Sequence, residues 1–139
     1  MKLKNFSGLV LSVLLVIGVV LVSGCATNAA KTQNITTQEA HSLVQENTSN
    51  PDFVILDVRT QEEFDGGHLE NAINLDFNSP TFRADLDKLN KQKTYLVYCL
   101  SGGRSSNAVT IMEELRFTKV YNMLNGILGW GVAGLPTVK

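Results

Sequence analysis

With 139 residues the chain has room for one domain and little besides. Its 12 Lys and Arg nearly balance 13 Asp and Glu, for a formal charge of −1, so there is no basic footprint for DNA or RNA.

The first segment reads as an export signal and not as part of the fold. Lys2 and Lys4 form a positive n-region, Leu9 to Val22 is apolar apart from Ser12 and Gly18, and Val22-Ser23-Gly24-Cys25 closes the run with small residues. An uncleaved membrane anchor is the alternative, but the run is short for a span and ends at the small-residue site. The segment resembles a bacterial lipoprotein signal over residues 1–24, with Cys25 as the residue that becomes lipidated. Ala26 follows in place of an acidic residue, which points to the outer membrane if the source has two membranes. Residues 25–34 then read as a lipidated N-terminus and polar tether, and 35–139 as the folded domain. Loss of Lys2 and Lys4 with the signal takes the formal charge from −1 to −3, so membrane attachment must come from lipid and not from a basic patch.

Thr36-Thr37-Gln38-Glu39 has the form of a capping box, and Ala40, Leu43 and Val44 give a short amphipathic helix that fades through Asn47 to Asn50. Phe53 to Leu56 reads as a buried strand, with Asp57-Val58-Arg59 at its end. Thr60-Gln61-Glu62-Glu63 is a second capping box, opening a short helix that carries Phe64 and stops at Gly66-Gly67. Ala72 to Leu75 forms another short strand. Ser79-Pro80 then starts a helix with Phe82, Leu86 and Leu89 on one face, and Lys88, Lys91 and Lys93 gather towards its end.

The stretch Tyr95 to Arg104, YLVYCLSGGR, is where chemistry concentrates. Tyr95 to Tyr98 shows no polar alternation, as a strand buried on both faces requires, and Ser105 to Leu115 resumes at helical spacing through Val109, Met112 and Leu115. Cys99 therefore sits at a strand-to-helix turn, at the carboxyl end of a central strand, where ligands bind in open α/β sheets. Gly102 and Gly103 are free to adopt positive φ and let backbone N–H groups converge on one spot. The helix dipole and the charge of Arg104 add to this, so the thiol is expected to ionise below its free value of about 8.5. A buried Cys at a strand end is otherwise a small core hydrophobe, and the loop is what separates the two readings. Thr118 to Tyr121 supplies a further strand, and Asn125-Gly126 turns into a last short helix with Ile127, Leu128 and a packing Trp130. Strands alternating with helices predict an α/β sandwich whose mainly parallel sheet of about five strands carries helices on both faces.

These residues carry a resemblance. CLSGGRS resembles the active-site loop of the rhodanese family, and the likeness extends upstream to VILDVRTQEEFDGGHLENAINL and downstream to LNGILGWGVAGLP. It covers the chain from about Ile35 onward and implies a single rhodanese-like three-layer domain. It further implies that Cys99 accepts a sulfane sulfur as a persulfide, that Leu100, Ser101, Gly102, Gly103 and Arg104 form the substrate-binding loop, and that Asp57 and Arg59 are structural support. Phosphatases of similar architecture have one more residue between Cys and Arg, so the shorter loop favours sulfur over phosphate. His68-Leu69-Glu70-Asn71-Ala72 departs from the family's usual His-Ile-Pro-Gly-Ala, which bears on that turn and not on the fold.

The expected function is a sulfurtransferase that passes sulfur from thiosulfate, polysulfide or a persulfide to a thiol or cyanide. The alternatives are a non-enzymatic binding module, or a sulfur carrier or thiol redox partner of another envelope protein. With Cys25 lipidated, Cys99 is the only thiol of the mature chain and no internal disulfide forms. A general-base role for His68 is disfavoured, because an ionised thiol needs no base. The three lysines could steer an anionic donor, although a solvated helix face is the simpler reading. Arg104 either points into the pocket or ties the loop to an acidic partner. No cofactor is expected, and His41 and His68 lack partners at metal-ligand spacing.

Overall fold

The computed structural model describes residues 31–139; the signal segment, Cys25 and residues 26–30 of the tether lie outside the described residues. Five strands form one sheet: β1 (Lys31–Ile35), β2 (Phe53–Asp57), β3 (Ile73–Asn74), β4 (Thr94–Tyr98) and β5 (Lys119–Met123). Their spatial order is β1-β5-β4-β2-β3, and every pair is parallel. Between them run α1 (Thr37–Glu46), α2 (Gln61–Asp65), α3 (Phe82–Asp87), α4 (Gly103–Glu114) and α5 (Gly126–Val132).

Side chains alternate across the sheet, as the strand period of two demands. Leu56, Tyr95, Val97, Cys99 and Val120 face α3 and α4, where Phe82, Leu86, Ala108, Val109 and Met112 meet them. Ile55, Leu96, Tyr98 and Met123 face the other way, against Ala40 of α1 and Trp130 of α5. The absence of polar alternation in β4 is the signature of this two-sided burial. Helices thus cover both faces, as the alternating elements predict.

Local chemistry sets the helix starts. Thr36 Oγ1 accepts the Glu39 N–H at 3.2 Å and the Glu39 carboxylate accepts the Thr36 N–H at 2.7 Å. Thr60 and Glu63 repeat the pattern at 3.2 and 3.0 Å. Each box satisfies backbone donors that a helix end otherwise leaves orphaned.

Two expectations need correction. Residues 31–34, read as tether, form most of β1, whose five positions pair in register with Lys119–Met123 of β5. Lys31, Thr32, Gln33 and Asn34 look like linker because an edge strand faces solvent and needs few apolar side chains; backbone pairing to β5 holds it. The domain therefore includes residues 31–34 as well. The second correction concerns Gly103: only Gly102 takes a left-handed φ, of 108°, while Gly103 is already the first residue of α4.

At the carboxyl end of β2, Asp57 and Arg59 form a buried pair. Asp57 accepts from the Arg59 backbone N–H at 2.9 Å, from Nε at 3.0 Å and from Nη2 at 2.6 Å. The same Nη2 donates to the Gly67 carbonyl at 2.7 Å, so the pair fastens the end of β2 to the turn that closes α2. His68 continues that turn; its ring stacks on Phe64 at 3.7 Å, with Nδ1 2.9 Å from the Phe64 carbonyl. Removing one partner of a buried pair leaves an uncompensated charge. Asp57→Ala should therefore destabilise the domain by about 3–5 kcal/mol in denaturant unfolding, with the remaining folded fraction keeping its thiol reactivity.

Candidate active site

Cys99 follows directly on β4, so its position is set by the most buried strand of the sheet. The residue is 1% exposed, and Sγ lies beneath the loop of residues 100–103 rather than on an open surface. The Gly102 N–H donates to Sγ at 3.1 Å, and the thiol reaches Ser105 Oγ at 3.5 Å. Ser105 is fully buried in the first turn of α4, and its hydroxyl also donates to the Gly102 carbonyl at 3.2 Å. Once the thiol ionises, that hydroxyl can turn its hydrogen to sulfur.

Competing effects act on the thiol. Burial pushes its ionisation upward; the Ser105 hydroxyl and the backbone N–H groups of Ser105, Gly102 and Ser101 push it down, and together they prevail. The Cys99 thiol therefore ionises more readily than an ordinary one, which makes a better nucleophile near neutral pH.

The direction of the Ser101 N–H among these is set from α5. The Ile127 N–H donates to the Cys99 carbonyl at 2.9 Å and the Leu128 N–H to the Leu100 carbonyl at 3.1 Å. In a trans peptide the C=O of one residue and the N–H of the next point in opposite directions. With the carbonyls of Cys99 and Leu100 drawn to α5, the N–H groups of Leu100 and Ser101 turn away from it. Gly126 makes this approach possible: a Cβ there would lie 2.3 Å from the Cys99 oxygen and 2.5 Å from that of Leu100, and its φ is 53°. The Asn125-Gly126 pair, which the sequence marks only as a turn, is thus part of the site's construction.

Arg104 faces Glu63. Its two terminal nitrogens hold both Glu63 oxygens at 2.7 and 2.8 Å, so the guanidinium ties the loop to α2. The hydrogen bond from Arg104 lowers the Glu63 carboxyl from 4.5 to about 2, against the opposing effect of burial. The sequence offered Glu63 only as a capping residue, and Ser105 only as a helix start; neither signalled its second contact. The lysines at and beyond α3 are engaged elsewhere: Lys88 with Asp85, Lys91 with Asp87, and Lys93 with the Pro51 carbonyl. Among the described residues no group of three or more His, Cys, Asp or Glu gathers where a metal ion could be held.

The parallel α/β fold that holds this buried thiol has counterparts among known proteins. The model of the rhodanese-like domain matches residues 36–133. The chain belongs to the rhodanese-like family. It is 29% identical to a sulfurtransferase of Allochromatium vinosum over 72% of this chain and 92% of that protein. A thiosulfate sulfurtransferase, GlpE, of Coxiella burnetii is 32% identical over 67% of this chain and 85% of its own length. Among solved structures, a rhodanese-like domain protein from Staphylococcus aureus superposes with a TM-score of 0.64 at 32% identity, over 77% of this chain and 99% of that one. Other relatives are longer proteins, of which the match spans 47% in one and 25% in another, a tRNA uridine(34) hydroxylase of Photorhabdus laumondii.

Three outcomes follow from the site's geometry. Ser105→Ala should move the midpoint of the alkylation rate against pH upward and slow alkylation at neutral pH by roughly tenfold, the worth of one hydrogen bond to a charged group. Gly126→Ala should cost more than about 1 kcal/mol in unfolding and shift the same profile, because the α5 contact must open. A carboxyl lowered on folding contributes stability that is full above its unfolded value and is lost as pH falls through its folded value. The stability gap between the natural chain and Glu63→Gln should thus hold above pH 4.5 and shrink as pH falls to about 2 in acid titrations.

Proposed function

We propose that the protein is a sulfurtransferase in which Cys99 carries sulfur as a persulfide. The observation that carries this is the hydrogen-bonded Cys99 sulfur, held by Gly102 and Ser105 and supported by sulfurtransferase-named relatives that align over most of their own length. In the first step the Cys99 thiolate attacks the outer sulfur of the donor. A new S–S bond forms to Cys99, the donor's S–S bond breaks, and the remainder leaves with the bonding electron pair, as sulfite when the donor is thiosulfate. In the second step a thiol or cyanide attacks the terminal sulfur, and Cys99 leaves as thiolate.

The loop's part is electrostatic. The N–H groups of Ser101, Gly102 and Ser105 stabilise negative charge on either sulfur without needing to reorganise, which is how preorganised dipoles act at developing anions. Leu100 and Gly103 complete the loop through their backbone, and Arg104 holds it in shape through Glu63. Asp57 and Arg59 keep the end of β2 in place beside it.

The chain's start supports a further reading, that the enzyme is lipid-anchored at Cys25 on the extracytoplasmic side of the cell envelope, with an envelope thiol among its acceptors. Cys25→Ser should then release the protein from the membrane fraction.

Intact mass after incubation with thiosulfate and with polysulfide tests the chemistry. One added sulfur, removed by cyanide or thiol and absent in Cys99→Ser, is the expected result. No addition in a folded protein with a free thiol would favour a binding module instead.

A further inference from the structure

The amino end of the sheet gathers cations that the domain itself does not use. Lys31 and Lys119 open β1 and β5 and stand opposite each other in register, and like charges so placed on neighbouring strands cost stability. Thr118 joins this corner to a third segment: its carbonyl accepts the Lys31 N–H and its own N–H donates to the Lys91 carbonyl, both at 3.0 Å. Arg116 lies just before it and, like Lys31 and Lys119, is exposed. Among the described residues, Lys31, Lys93, Arg116 and Lys119 have no carboxylate partner, and Glu46, Asp52 and Glu113 are the carboxylates at this end without a cation.

The carboxyl end, where β4 delivers Cys99, has the reverse pattern. Glu39, Glu62, Asp65 and Asp76 lie in the segments that leave β1, β2 and β3 and have no cationic partner, whereas Arg59 and Arg104 are both paired. Lys139 is brought to that end by the pairing of Val138 with His68. The domain is thus polarised in charge along its strands.

The lipidation candidate lies close to the cationic corner. Because residues 31–34 belong to β1, only residues 26–30 separate Cys25 from the sheet. At the length of an extended chain, the path from Cys25 to Lys31 spans about 20 Å at most. The five residues of β4 carry the chain about 17 Å in the other direction before Cys99.

We infer that the amino end of the sheet, led by Lys31, Arg116 and Lys119, rests on an anionic bilayer surface, and that Cys99 is thereby presented on the side away from the membrane. The inference rests on the reading of Cys25 as a lipidated residue. Lipid supplies the attachment, and the polarised charge supplies the orientation. Anionic headgroups attract one end of the domain and repel the other, over distances of about a Debye length. Turning the domain over would lift Lys31 above the bilayer by the length of the strands and of the loops beyond them, which takes up the whole reach of the tether. The repulsion between Lys31 and Lys119 is relieved at such a surface. Sulfur acceptors then reach Cys99 from the aqueous side.

The test uses the full chain in its lipidated form, bound to preformed vesicles of phosphatidylcholine alone or mixed with phosphatidylglycerol, at low salt. Acetylation of each lysine by a water-soluble reagent is followed by peptide mass spectrometry. On the anionic vesicles Lys31 and Lys119 should react more slowly relative to Lys139 than on phosphatidylcholine, by roughly threefold or more, and high salt should remove the difference. Arg116→Glu, an exposed change remote from Cys99, should return both lysines toward their phosphatidylcholine rates. Alkylation of Cys99 by iodoacetamide, a neutral reagent, should run at the same rate on both vesicles. Equal lysine labelling on the two vesicle types, slowing of Lys139 along with the others, or slower Cys99 alkylation on the anionic vesicles overturns the inference while the anchor stands. An intact mass without lipid on Cys25 overturns both and leaves sulfur transfer at Cys99 untouched.

Discussion

Two hydrogen bonds from the first turn of α5 set the direction of the loop that holds Cys99. By taking the carbonyls of Cys99 and Leu100, the N–H groups of Ile127 and Leu128 fix the adjoining peptide planes, and the N–H groups of Leu100 and Ser101 are left facing away from α5. The cost of that arrangement is confined to Gly126, whose missing side chain lets backbone approach backbone. A thiol with no access to water would ordinarily resist ionisation; here the hydrogen bonds outweigh burial because they are prepaid in the fold. Reactivity and burial are therefore consistent in one residue.

The second constraint is how charge is distributed. Glu63 serves three donors at once: the Thr60 backbone and hydroxyl at the start of α2, and the Arg104 fork at the start of α4. A local helix cap is thereby joined to the loop above Cys99 across 41 positions of sequence. Arg104 contributes rigidity through Glu63, while the groups in contact with the sulfur, the Gly102 N–H and the Ser105 hydroxyl, are neutral dipoles. Asp57 and Arg59 do similar work one strand away, joining β2 to the turn after α2. Both pairs lie at the carboxyl end of the sheet, where the strands stop and the loops must be held by other means.

Peripheral contacts complete the frame. The backbone of His68 pairs antiparallel with that of Val138, 2.9 Å in each direction, bringing the last residues back to the turn beside α2. Trp130 packs on the sheet and donates from Nε1 to the Pro136 carbonyl at 2.9 Å, so the segment after α5 is fastened at two points. At the other edge β1 shields β5, the strand from which α5 departs.

Most of the fold was legible in the residues because its signals are local. Both capping boxes, the unbroken apolar run of β4 and the helical spacing of Val109 and Met112 depend on neighbours within a turn or a strand. The position of Cys99 between β4 and α4 follows from the same signals. β1 was hidden because an edge strand is held by backbone pairing, which polar residues such as Thr32 and Gln33 satisfy as well as apolar ones. The partners of the site lay beyond reach for a related reason. Whether Arg104 would face sulfur or Glu63, and why Gly126 must lack a side chain, depend on contacts between segments distant in sequence. Residue order by itself determined which elements form and where the thiol stands; only their packing decided which dipoles and charges reach it, because electrostatic contacts depend on distances that periodicity does not encode.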